Sequence, residues 1–520
     1  MLDELRRAMC LYAIFTAMLR LLPIFLLALI GFPTLLQAQL TTSTEIEAAS
    51  TRQFPLAVKQ LREFVAVPND GHFPEQIQAN IDWVTPYLER LGLATEVIRI
   101  NDVPFVLAQR IYHPDRKTVL FYLQIDGQPV DVSEWDQIDP FTVTLKHKNS
   151  NGEWQEVEDT DLGLENRLFG RSTSDSKGPA LSLLNAFAIL NGEGVTPAYN
   201  VKLILDFQEE MSSPQLPELV RTNKNKLAAD RLVVMDGTRH VSNLPTLTFG
   251  ARGIATTTLR VFGPRQPMHS GQYGNFVPNP VFRLSKLLAG MKDDDGRVLI
   301  PGWYDGISLS EAEKKAMNAV PENSDSIAAR IGIARPEQVG GTYQEALAYP
   351  TLNVRGLKAA YVGGAARTII PDEAIAMIDI RLVPESDGVR LLKLLRDYVE
   401  NSGYHLVDEE PTEAERRKHD KIAALYGKMK YAAYRTPFDS NIGHWLNRAL
   451  IRTFDARPVN MRTTGGSQPI SPFIKALGLP AVSVRIPNPD NNIHAANENL
   501  RLGNYLEGIR TCVGVLTEEL

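Results

Sequence analysis

Three short stretches decide most of what this chain can become. Residues 118–126 (TVLFYLQID), 200–210 (NVKLILDFQEE) and 231–236 (RLVVMD) are each short for a helix and built around a run of apolar residues. A strand turns successive side chains to opposite faces, so one that is apolar on both faces must be covered on both. Helical spacing over 54–67, 77–93 and 178–192 supplies the covers. The alternation predicts an α/β fold: a central mixed sheet covered by helices. Ligands in such sheets bind beyond the carboxyl ends of the strands. There the three runs deliver acids: Asp126, Glu209, Glu210 and Asp236.

At 520 residues the chain exceeds one ordinary core, and 44% hydrophobic against 22% charged residues is a globular balance. At residue 247 the texture changes to an alternating strand (LTFGARGIATTTLRVFG), with a second (AIAMIDIRLVP) and a helix further on. This predicts an α+β lid inserted over 247–410, with the catalytic domain formed by 45–246 and 411–520. A formal charge of −6, with basic residues spread along the chain, gives no footprint for nucleic acid. Residues 18–38 carry a basic head at Arg20, an apolar run and the small Ala38, the pattern of a signal peptide over 1–38 and so of an exported, periplasmic or secreted protein. Pro33 interrupts that run short of the ~20 residues that span a bilayer, which argues against a membrane anchor. Cleavage leaves Cys512 as the single cysteine, hence no internal disulfide.

The chemistry gathers in four places. In GRSTSDSKGPA, Gly170 and Gly178 bracket a turn that holds Asp175 before a helix. Adjacent Glu209 and Glu210 repel each other unless a cation holds them, and their side chains diverge, so one can bind a metal while the other reaches a water. Asp236 ends another buried run, and His494 lies in a polar loop, NNIHAANENL. Each alone has an ordinary explanation: a helix start, a solvated acidic loop, a surface histidine. Together they are the hard and borderline ligands of a zinc or manganese hydrolase.

The ordered set DGQPVD, LFGRSTSDSKGP, EEMSS, MHSGQYGN, VLIPGWYD, YPTLNVRGL, RTIIP, IDIRLVP, TTGGSQP and HAANENL resembles the M20 family of metallopeptidases, in its carnosinase-like dipeptidase branch, over nearly all of 50–520. The resemblance implies a homodimer joined through the lid, two divalent ions with zinc expected, and small peptide or N-acyl amino acid substrates. The activity implied is that of a dipeptidase or carboxypeptidase. The alternatives are an N-acyl amino acid deacylase and a non-catalytic substrate-binding homologue. By the same resemblance Asp175 bridges the metals, Glu210 and His494 complete one site, Asp236 belongs to the other, and Glu209 is the general base. His269 is implied to stabilise the oxyanion across the dimer, and Thr368, Arg381 and Ser467 to hold the substrate's carboxylate. Asp126 would orient a histidine ligand two residues earlier, but Gln124 stands there. An amide oxygen is a weaker donor than imidazole, so the second site is expected to be weak, or tuned to a harder ion such as manganese.

Overall fold

A computed structural model describes residues 40–520; the signal peptide expected over 1–38 lies outside them. Among the described residues no helix is long and apolar enough to cross a membrane. The principal strands run in chain order as β1 (Ala94–Ile100), β2 (Val103–Arg110), β3 (Thr118–Gln124), β4 (Asn200–Asp206), β5 (Arg231–Val234) and β6 (Thr246–Thr248). The chain then builds β7 (Gly253–Phe262), β8 (Asn353–Lys358), β9 (Glu373–Leu382), β10 (His405–Val407) and β11 (Ile422–Tyr431), and closes with β12 (Val459–Met461) and β13 (Ala481–Arg485).

The larger sheet has the order β1-β2-β4-β3-β5-β13-β6-β12, and its four central strands, β4, β3, β5 and β13, are parallel. Alternation along β3 divides the core as the sequence required. Val119, Phe121 and Leu123 face the layer of helices Ser43–Val65, Lys177–Glu193, Asn441–Phe454 and Leu502–Thr517. Leu120 and Tyr122 face the opposite layer, with helices Leu216–Thr222 and Ser471–Leu477. Both faces are dry, so only the strand ends are free for chemistry.

The second sheet, β8-β9-β7-β11-β10, is backed on one face by helices Pro280–Ala289 and Gly388–Asn401. It corrects one boundary. β11 falls in the span expected to return to the catalytic domain at 411, yet it pairs antiparallel with β7 and turns Ala423 and Leu425 into the lid core. Apolar at its start and mostly polar or exposed towards its end, it is compatible with either sheet, and long-range pairing decides. The chain thus enters the lid at β7 and leaves it at β11, with Ile254 opposite Tyr431.

Candidate active site

The parallel strands bring their carboxyl ends to one rim. Beyond β3, buried Asp126 accepts the Glu209 N–H on one carboxylate oxygen and the Glu210 N–H on the other, both at 3.0 Å. Expected to orient the side chain at 124, Asp126 instead pins the peptide run that carries both glutamates. Burial first, then nearby Asp206, hold its carboxyl well above the usual range. Asp206 is itself buried and takes hydrogen bonds from the Tyr122 hydroxyl (2.9 Å) and Ser213 Oγ (2.6 Å).

The turn bearing Asp175 is moulded around Glu498, which is fully buried. Its carboxylate accepts the N–H groups of Ser172, Ser174 and Asp175 at 2.9–3.0 Å, together with Ser174 Oγ and an Arg171 Nη1 at 2.8 Å. A charged acceptor with that many donors makes a rigid mount for the turn. Sequence alone marks Glu498, four residues after His494 in HAANENL, only by its acidic type inside an otherwise neutral loop.

Asp175, Glu210 and His494 converge, with one ligand atom from each within 4.8 Å of the others. His494 Nε2 lies 3.0 Å from Asp175 Oδ2 and 3.5 Å from Glu210 Oε2. The hydrogen bond with Asp175 is the main cause that raises the imidazole pKa. Burial first, then Asp175 and Asp126, push Glu210 up to about 10. Burial with Asp236 and Glu210 raises Glu209, and burial with Asp175 raises Asp236. So many carboxylates cannot all be ionised here without a compensating cation, and two carboxylates with an imidazole fit one divalent ion well.

The donor set around Asp236 differs. Asp236 accepts from Gln468 Nε2 at 2.7 Å and Ser176 Oγ at 3.3 Å, and Arg485 stands beside it. Gln124 donates to Glu210 Oε1 at 3.1 Å, alongside Gln128 at 2.6 Å, and is not bonded to Asp175 or Asp236. Among the described residues, a second ion would therefore find Asp175 and Asp236, with the Gln124 amide beside Glu210 and no imidazole.

A cleft of about 240 Å³ opens over these groups, lined by Gln124, Asp175, Glu209, Asp236, Ser467 and His494 among others. No described residue donates a hydrogen bond to the Glu209 carboxylate, which leaves its lone pairs to the cleft. The lid reaches the same rim. Arg381, on β9, donates from Nη1 to Ser467 Oγ at 3.0 Å, so two expected carboxylate binders meet. Tyr431, at the end of β11, is close enough to Glu209 for that carboxylate, after burial, to raise its phenol pKa. His269 and Thr368 sit elsewhere. They lie together on a short ribbon, the Ser270 N–H bonding the Thr368 carbonyl at 3.0 Å, with His269 exposed and neither residue lining the cleft.

Residues 249–406 match the peptidase dimerisation domain of the M20 family. Over 476 residues the chain is 27% identical to a Cys-Gly metallodipeptidase of Schizosaccharomyces pombe, covering 87% of this chain and 93% of the relative. A Beta-Ala-His dipeptidase of Mus musculus is 26% identical over 481 residues, 87% of this chain and 90% of the relative. Among solved structures, an M20 family metallo-carboxypeptidase from Sulfolobus solfataricus superposes with a TM-score of 0.72 at 26% identity, over 89% of this chain and 98% of that one. Human carnosine dipeptidase 1 shares the fold with a TM-score of 0.70 at 23% identity, over 91% and 98%. With the lid domain, the sheet-end carboxylates and these relatives in agreement, the chain carries an M20 peptidase dimerisation domain and is similar over most of its length to metal-dependent peptidases of that family.

Proposed function

We propose that the cleft hydrolyses the single peptide bond of dipeptides, or the amide of closely similar small substrates, that end in a free carboxylate. The observation that carries this reading is the convergence of Asp175, Glu210 and His494 beside an unpartnered Glu209 carboxylate, with the Arg381–Ser467 pair at the same rim. Asp175, Glu210 and His494 would hold one ion, zinc by their mixed nitrogen and oxygen donors; Asp175 and Asp236, with the Gln124 amide, would hold a second that is harder, of the manganese type. When bound, such ions polarise the scissile carbonyl and make water acidic enough to attack near neutral pH. Glu209 takes the proton of the attacking water and returns it to the departing amine. Arg381 fits the substrate's carboxylate because its planar fork can bind both oxygens. The protein acts as a homodimer, in which His269 serves the cleft of the neighbouring subunit.

Purified protein supplied with zinc or manganese should cleave members of a dipeptide panel, and a chelator should stop it. Glu209→Gln should lower kcat by about 10²- to 10⁴-fold while metal content, read by elemental analysis, stays as in the wild type. Unchanged kcat in that variant would remove Glu209 from the reaction.

A further inference from the structure

Between β7 and β8 the lid carries short helices Glu311–Asn318, Ser324–Ile331 and Tyr343–Ala346. This segment is strapped to the catalytic domain next to the cleft. Buried Arg462 donates to Glu313 at 2.9 Å, buried His240 lies 3.1 Å from Glu322, and Arg252 Nη2 donates to the Tyr349 carbonyl at 2.5 Å. The straps fix an apolar hollow of about 330 Å³, whose walls include Ile327, Ala328, Ile331, Ile333, Tyr343 and Ala346. The one carboxylate in its wall, Glu337, is paired with Lys292 at 2.8 Å, so the hollow presents no uncompensated charge.

The loop over 464–467 lies between the hollow and the metal cleft. Gly466 and Ser467 line the cleft, and a Cβ placed on neighbouring Gly465 would lie 4.0 Å from the Tyr343 hydroxyl. A Cβ on Gly466 would meet nothing within 4 Å, so the space over this loop is open. The loop is also where positive charge collects. The Arg252 N–H donates to the Gly466 carbonyl at 3.2 Å, and Arg381 is near enough to join burial in holding the Arg252 guanidinium down to about 10. Arg252 has no carboxylate within 4.0 Å among the described residues, and Arg381 has only Asp379, at 4.0 Å.

Building on the peptidase reading, we propose that the hollow seats the side chain of the substrate's C-terminal residue, making this enzyme selective for dipeptides that end in a bulky apolar amino acid. A carboxylate held by Arg381 and Ser467 puts the adjoining Cα beside Gly465 and Gly466. Neither glycine has a side chain to block the way, and the substituent passes over the loop to Tyr343 and the isoleucines. Ile331, Ile333 and Tyr343 are 59%, 42% and 41% exposed, so apolar surface awaits cover here.

The test uses enzyme loaded with zinc or manganese and a series with alanine first and glycine, alanine, leucine or phenylalanine second. The expected kcat/KM rises along the series, by about tenfold or more from Ala-Gly to Ala-Leu. Ile331→Ser and Ile333→Ser, at positions exposed enough to spare the fold, should each draw that ratio towards one. A flat series in which Ala-Gly is cleaved overturns the hollow's role and leaves the peptidase reading intact, whereas cleavage of none of them overturns both. Isoleucine variants that keep the ratio but lose the dimer would assign the hollow to subunit contact and overturn it as well.

Discussion

Gln124 is the residue on which the metal chemistry turns. At the end of β3 it hydrogen-bonds Glu210, proposed above as a ligand of the first ion, and would leave a second ion with oxygen donors alone. One tight and one exchangeable ion are therefore expected, and Gln124→His should tighten the weaker by about 10- to 100-fold, the scale on which altered metal surroundings act. Titration followed by elemental analysis reads this out; no rise in affinity or metal count would mean that the strand end is not aimed at a metal. At this scale the sequence was legible where residue type and chemistry coincide, as for Asp175, Glu210 and His494. It was not legible for Glu498 or Gln468, whose work is done through backbone N–H groups and a neighbouring carboxylate that only the folded chain brings near. Asp126 shows the same limit: its burial and acidity could be anticipated, but not that its two oxygens would be taken by consecutive peptide groups.

Among the elements, the lid sheet leaves β8 as an edge strand with exposed Leu357, and Tyr361 and Val362 just beyond it are 60% and 87% exposed. An apolar edge of this kind invites pairing with another chain, and a two-fold interface would use the same edge twice. If His269 works across it, His269→Ala and Glu209→Gln proteins, each nearly inactive, should recover activity when their subunits are mixed. Full exchange predicts about a quarter of the wild-type rate, since half of the pairs are mixed and one of their two clefts is whole. No recovery despite exchange, followed by activity and light scattering, would place His269 on its own cleft or off the reaction. The apolar runs of β3, β4 and β5 could be read directly because their burial on both faces leaves no alternative. β11 could not, because a strand that is apolar only over its first half suits either sheet until a partner is chosen.

For the molecule as a whole, the crowded carboxylates link stability to pH. Glu210, Glu209, Asp126 and Asp236 all have folded-state pKa values above their unfolded ones, so the metal-free protein holds these protons more tightly when folded. Their contribution is fully present below the unfolded carboxylate range and is lost as pH rises from there towards about 10, the value for Glu210. The melting temperature of chelated protein should fall across that interval, and divalent metal should restore it most at the alkaline end. A melting temperature indifferent to metal at pH 8 would contradict the clustering. The paired passage of β7 and β11 between the two domains has a mechanical meaning too. Because the lid's two chain ends emerge side by side, with Ile254 opposite Tyr431, its covalent attachment is a single ribbon, and side-chain straps such as Arg462–Glu313 and Arg381–Ser467 hold it to the cleft rim. A module attached in this way behaves as a cassette: once those straps are released it can be exchanged, or enlarged at loops away from them, without pulling apart the scaffold that carries it.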